Sequence, residues 1–261
     1  MSDGSIPFID THAHVALAQF DADREAVLAR AAADGVTRII EIGYDLPSSR
    51  AALALAEAYP QIFAVVGVQP NHVADLPPDW LAQVRDLARH PKVVALGEIG
   101  LDYHWMRASP EAQALVFRQQ LELARSLDLP VVIHSRDAHD DTAQVLAEAA
   151  RGVSGVMHSF SGDWAYAQIC LELNFLLSFS GPLTFPKATI LHEVARRAPL
   201  TMLLTETDSP YLSPHPYRGK RNEPARVRLV TEQLAALREQ PLAEVATIVD
   251  ANARRIFPRM R

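Results

Sequence analysis

Eight short apolar runs, rich in β-branched residues, punctuate this chain, and stretches of Ala- and Leu-rich helical period separate them. They read PFIDTHAH, TRIIEIG, IFAVVGV, KVVALGEIG, PVVIHS, GVMHSF, FLLSFSG and TMLLTETD. Near-continuous apolar strands need cover on both faces, and helices alternating with parallel strands supply it. Eight such units close a sheet on itself, so the expected fold class is α/β, a (β/α)8 TIM barrel. Helices are expected at 22–34, 48–58, 111–127 and 186–197, with a final pair at 223–239 and 241–256. The Pro-rich stretches at 75–79 and 209–216 read as loops. A doubly wound open sheet is the competing architecture, but it would not readily explain functional residues at the ends of so many strands. With 261 residues, 49% of them hydrophobic, and neither a repeat nor a linker, one domain over 1–261 is expected.

Composition narrows the function. Lys+Arg 25 against Asp+Glu 31 gives a net charge of −6, so bulk electrostatics repels a polyanion and any nucleic-acid binding must rest on a local basic patch. The single cysteine, Cys170, lies in the apolar stretch AQICLEL and reads as a buried small hydrophobe, which leaves no disulfide framework. The N-terminus MSDGSIPF has no basic or apolar signal region, and no apolar run reaches the roughly 18 residues of a membrane span. A cytoplasmic protein without membrane contact is the expectation.

Side chains suited to metal binding stand at the ends of these runs. In Asp10-Thr11-His12-Ala13-His14 alternate residues of a strand share a face, so His12 and His14 point together into the barrel mouth. Asp10, one step deeper, is expected to hold a ligand histidine in its tautomer. His134 and His158 each follow buried aliphatics, where an unsatisfied polar group costs a few kcal/mol. Singly, a hydrogen-bonded core histidine explains either; beside the H-x-H pair, ligation is the better reading. Glu98 is flanked by glycines at a strand end, and those glycines permit close backbone approach. Glu206 and Asp208 share strand parity, with Asp208 nearer the rim as the better ligand and Glu206 as an anchor behind it. His90, His139 and His192 read as solvated surface.

DTHAH at 10–14, GEIGLDY at 97–103, the strand-terminal His134 and His158, FSG at 179–181, ETDSPYL at 206–212 and RGKRNEP at 218–224 closely resemble the TatD family of metal-dependent deoxyribonucleases. The motifs keep the family's order over nearly the whole chain. The resemblance implies a barrel of the amidohydrolase superfamily with two divalent ions, magnesium first, with manganese or zinc as alternatives. It implies His12, His14, Glu98 and Asp208 as ligands of one ion and His134 and His158 as ligands of the other, Glu98 bridging. One departure stands out: the family's Gly-Val-His-Pro reads Gly67-Val68-Gln69-Pro70 here, followed by Asn71 and His72. Gln69 can donate a hydrogen bond to a substrate phosphate but supplies neither a proton nor a positive charge. His72, one residue late, is expected to point elsewhere.

The chemistry expected of these residues is phosphodiester hydrolysis by a two-metal activated water, with Asp208 as general base and Glu98 beside it. Arg218, Lys220 and Arg221, just past Asp208, would clamp the phosphate. An acidic chain with one small basic loop suits the end of a single DNA strand better than a long duplex groove, so an exonuclease on single-stranded DNA is expected. Tyr103, Trp105 and Tyr211 are candidates for stacking an unpaired base. Two rivals remain: a hydrolase of amide, lactone or aminoacyl-ester bonds on the same metals, and a catalytically silent nucleic-acid-binding or adaptor protein. The basic loop argues against the first and the full set of ligand types against the second.

Overall fold

Every one of the eight runs is a strand in the computed structural model, which describes residues 6–260. The strands are β1 (Phe8–Ala13), β2 (Val36–Ile42), β3 (Ile62–Val66), β4 (Val93–Asp102), β5 (Val131–Arg136), β6 (Gly155–Met157), β7 (Phe175–Phe179) and β8 (Leu203–Thr205). Each pairs in parallel with the next, in the order of the sequence. The helices α1 (Arg24–Ala33), α2 (Leu46–Ala58), α3 (Trp80–Ala88), α4 (Pro110–Leu127), α5 (His139–Ala149), α6 (Trp164–Glu172), α7 (Thr189–Arg197), α8 (Val227–Arg238) and α9 (Leu242–Ile256) accompany them. The result is the expected TIM barrel, nearly closed. None of the described helices is long and apolar enough to cross a membrane.

Sequence chemistry sets the helix starts. Asp45 caps α2 by accepting from Ser48 N at 2.7 Å while the Ser48 hydroxyl faces back to the cap, and Pro47 fits a first turn that needs no N–H there. Ser109 caps α4 ahead of Pro110 in the same way. Phe117, Phe175, Phe179 and Phe257 are fully buried in the apolar core. Cys170 is buried too, as expected, and burial pushes its thiol up to about 12. His192 departs from the surface reading: α7 buries it, and its Nε2 donates to Leu183 O at 2.9 Å, which satisfies the ring locally.

Gly100 earns its place by contact. A Cβ there would lie 1.9 Å from the His134 carbonyl oxygen, and its φ of +141° is one that L side chains rarely adopt. Only glycine lets β4 and β5 approach closely enough for Glu98 and His134 to meet. β4 also runs on to Asp102, so Glu98 lies within the strand rather than at its end.

The seam of the barrel is made by the segment just past β8. Asp208 N donates to His12 O and His14 N to Ser209 O, both at 2.8 Å. Asp10 fastens it from inside: its carboxylate accepts from Thr207 N at 2.8 Å, from the Thr207 hydroxyl at 2.5 Å and from His12 N at 3.3 Å. This corrects the role expected of Asp10, which touches backbone and a hydroxyl and no imidazole ring. Burial drives its pKa well up against those hydrogen bonds. Asp10→Ala strands buried donors that cost about 1–3 kcal/mol each, so it should lower unfolding stability by about 3 kcal/mol. Wild-type thermal unfolding of that variant would contradict the seam assignment.

Candidate metal centre

Two groups of metal-binding side chains, spanned by a third made of His12, His158 and Glu206, converge at the C-terminal mouth of the barrel. In the first, His12 Nε2 and His14 Nε2 lie 3.3 Å apart, and Asp208 Oδ1 stands 3.7 Å from the one and 3.4 Å from the other. In the second, Glu98 Oε1 is 2.7 Å from His134 Nδ1 and 3.6 Å from His158 Nε2. The stacked rings of His12 and His158, centroids 3.5 Å apart, join the two. Glu98 falls in the second group and not in the first.

The outward nitrogens reveal how the rings are held. His14 Nδ1 donates to Ile42 O at 2.9 Å, since a carbonyl only accepts; its Nε2 therefore turns a lone pair toward His12 and Asp208. His134 Nε2 meets Asp102 Oδ2 at 2.9 Å. His158 Nδ1 makes a close ion-pair contact of 2.7 Å with Glu206 Oε1, short of an aligned hydrogen bond. In three of the four rings an acceptor stands at the outer nitrogen, as is usual for metal-ligating histidines, while the inner nitrogen of His134 meets the Glu98 carboxylate. His12 differs, its buried Nδ1 having no partner. The inward donors are imidazole nitrogens and carboxylate oxygens, a set that fits a divalent cation.

Electrostatics points the same way. Burial alone would depress His134, but the charge of Glu98 and the bonds with Asp102 and Glu98 outweigh it and raise the ring to about 9. His158 is likewise lifted to about 10, burial being overcome first by the charge of Glu206. Burial works to raise Glu98, yet His134 and His158 hold it down at about 2. Fully buried among other histidines, His12 is pushed well down, first by burial and then by the neighbouring rings. Glu98 is thus ionised and paired with His134 and His158, whose protons a bound cation would displace.

Around this centre the expected residues fare differently. Gln69 does reach it, its Nε2 donating to Glu98 Oε2 at 3.4 Å. His72 turns away toward Asp45 and the Tyr44 ring. The Tyr211 ring lies 6.1 Å from His14 and is half exposed. Tyr103 is partly buried and donates its hydroxyl to Asp141 at 2.7 Å, on the first turn of α5. Arg218 and Lys220 are exposed, lie against the Phe185 and Tyr217 rings, and form no ion pair among the described residues. Arg221 corrects the picture of a triple clamp: it binds both oxygens of Asp23, at 2.9 and 2.6 Å, so its charge is already matched.

Two residues were missed at the sequence level. Asp102, which also accepts from His104 N and Trp105 N, shares strand parity with Glu98 within GEIGLDY, and that signal could have found it. Tyr44, whose ring is 5.7 Å from His14, lies in a loop with no distinguishing pattern.

Residues 9–258 match the family described as TatD related DNase. The chain is 45% identical over 249 residues to an uncharacterized metal-dependent hydrolase, YabD, of Bacillus subtilis, covering 95% of this chain and 98% of that one. It is 34% identical over 255 residues to the 3'-5' ssDNA/RNA exonuclease TatD of Musicola paradisiaca, covering 95% and 97%. The crystal structure of YjjV, a TatD homolog from Escherichia coli K12, superposes with a TM-score of 0.89 at 34% identity, covering 96% of this chain and 98% of that one.

Asp102 gives the centre a direct test. Removing the acceptor behind a ligating histidine costs about 10–100-fold in metal affinity, so Asp102→Ala should bind divalent ion that much more weakly in competition with a chelator. Unchanged affinity would mean that His134 is no ligand or that Asp102 does not orient it.

Proposed function

The chain belongs to the TatD family of metal-dependent hydrolases, and on that premise we propose that it cleaves phosphodiester bonds as an exonuclease on single-stranded DNA. The observation that carries this reading is a cleft of about 540 Å³ beside the metal centre, lined by Tyr211, Phe185, the uncommitted cations Arg218 and Lys220, and Arg221, which is paired with Asp23. A neutral amide or lactone would leave those cations without a role.

His12, His14 and Asp208 would hold one ion, and Glu98, His134 and His158 a second. Magnesium suits the carboxylate and phosphate oxygens, and manganese or zinc the imidazoles. Divalent ions held there supply Lewis acidity toward water and the phosphoryl oxygens. The protein does the rest. Asp208, at the rim, accepts a proton as the water oxygen forms its bond to phosphorus. The opposite P–O ester bond breaks, and its oxygen leaves as an alcohol by taking the proton that Asp208 received. Arg218 and Lys220 neutralise the non-bridging oxygens, and Gln69 offers them a neutral hydrogen bond. Tyr211 stacks an unpaired base.

End-labelled single-stranded DNA should be degraded by chelated protein only after magnesium or manganese is restored, and Glu98→Ala should abolish the ladder. Persistence of the ladder in that variant would expose a contaminating nuclease. No digestion by metal-loaded protein would favour an amide or ester substrate, with Gln69 the suspect residue.

The cleft generates a second expectation. Each phosphate contact on a single strand contributes about −0.7 to the slope of log affinity against log salt. Arg218→Ala and Lys220→Ala should each flatten the slope by about that amount, whereas Arg221→Ala, which breaks the Asp23 pair, should change it less. Equal slopes for all three variants and wild type would remove the phosphate clamp.

A further inference from the structure

The metal centre opens onto a second cleft of different character. It shares no lining residue with the basic one, yet both border the same ring: Tyr211 of the basic cleft and Tyr44 of the other stand 6.1 and 5.7 Å from His14. The second cleft measures about 250 Å³. Ligand sites typically run about 300–1,000 Å³, so this one suits a single small unit rather than a length of chain.

Its chemistry excludes an anion. Leu17, Ile42 and Pro47 give it apolar walls, Glu41 and Asp45 bring carboxyl groups, and no Lys or Arg lines it. The first turn of α2 also borders it, and such a turn ordinarily attracts phosphate. Here the Asp45 carboxylate already accepts from Ser48 N, and Pro47 has no N–H to offer. The Glu41 oxygens are turned to Val15 N and Ala16 N, at 2.7 and 2.9 Å, and add no donor. Away from His14, which lines the cleft where it meets the metal centre, a phosphate would meet carboxyl groups with no Lys or Arg beside them.

Resting on the nuclease reading above, we propose that this cleft receives the terminal nucleoside of a strand whose charged body lies in the basic cleft, and that it selects ends bearing a free hydroxyl over ends bearing a phosphate. The scissile phosphodiester then lies between the two clefts, at His14 and Asp208. The basic cleft admits several phosphates and the acidic one none, so the enzyme reads the chemical state of the strand end.

The test uses metal-loaded protein and oligonucleotides that differ only in a terminal hydroxyl or phosphate, made at the 3' and at the 5' end. At the end from which digestion proceeds, the hydroxyl form should be removed at least about tenfold faster in kcat/KM, like-charge contact costing several kcal/mol. Ala51→Lys places a cation on an exposed α2 position that lines the cleft, and it should narrow the gap by speeding removal of the phosphate-bearing end. Equal rates on both ends in wild type, or a gap untouched by Ala51→Lys, overturn the inference and leave the nuclease standing. Failure to digest either substrate overturns the nuclease reading and the inference with it.

Discussion

The carboxylate of Asp10 is the fastening on which the centre depends. It accepts two hydrogen bonds from Thr207, nearly two hundred residues away in sequence, and thereby joins the last strand of the barrel to the first. Strand alternation does the rest, because residues two and four positions beyond Asp10 share its face and are both histidines. One residue beyond Thr207 stands Asp208, whose amide bonds to His12 O. Closing the seam and assembling the first group of metal-binding side chains are therefore a single event. A buried carboxyl used this way has its pKa driven up by desolvation, so its retention in the core is explained by the donors it satisfies and not by favourable burial.

The centre itself runs against ordinary folding preferences. Four imidazoles and four carboxylates, Glu98, Asp102, Glu206 and Asp208, crowd one end of an otherwise apolar barrel, and most are buried. Such a cluster holds together because each group is matched: Glu98 against His134 and His158, Asp102 behind His134, Glu206 behind His158. His12 Nδ1 is buried and has no hydrogen-bond partner among the described residues, and His158 Nδ1 has only its ion-pair contact with Glu206. A buried polar atom without a partner calls for a reason, and that of His12 sits in one of the two stacked rings that join the groups.

Much of this was legible because periodicity survives translation into geometry. The runs that carry His12, Glu98, His134 and His158 are buried strands, and parallel strands in register deliver these residues to one rim. What could not be read depends on partners remote in sequence. Asp10 looked like a residue that would orient an imidazole, since both its parity neighbours are histidines; its donors proved to be Thr207, in the segment past β8, and the backbone amide of His12. His192 looked solvated because its helix is polar overall, but the turn at Gly181–Thr184 brings the Leu183 carbonyl to its ring. Arg221 was indistinguishable from Arg218 and Lys220 in RGKRNEP, and only the position of Asp23 on the approach to α1 separates it from them.

That separation explains how an acidic chain can handle a polyanion. With a net charge of −6 the protein offers no general attraction, so its few cations must be well placed. Arg221 pairs with Asp23, and Glu223, two residues on, pairs with Arg30 of α1 at 2.6 Å. These exposed pairs add little to stability. Their effect is geometric: they tie both flanks of a short stretch of the β8–α8 connection to α1, beside the residues that remain uncommitted. Arg218 and Lys220, resting against aromatic rings, are thereby kept at the mouth with fewer conformations to lose when an anion arrives. A basic motif read as three equivalent clamps is better understood as a tether that serves two.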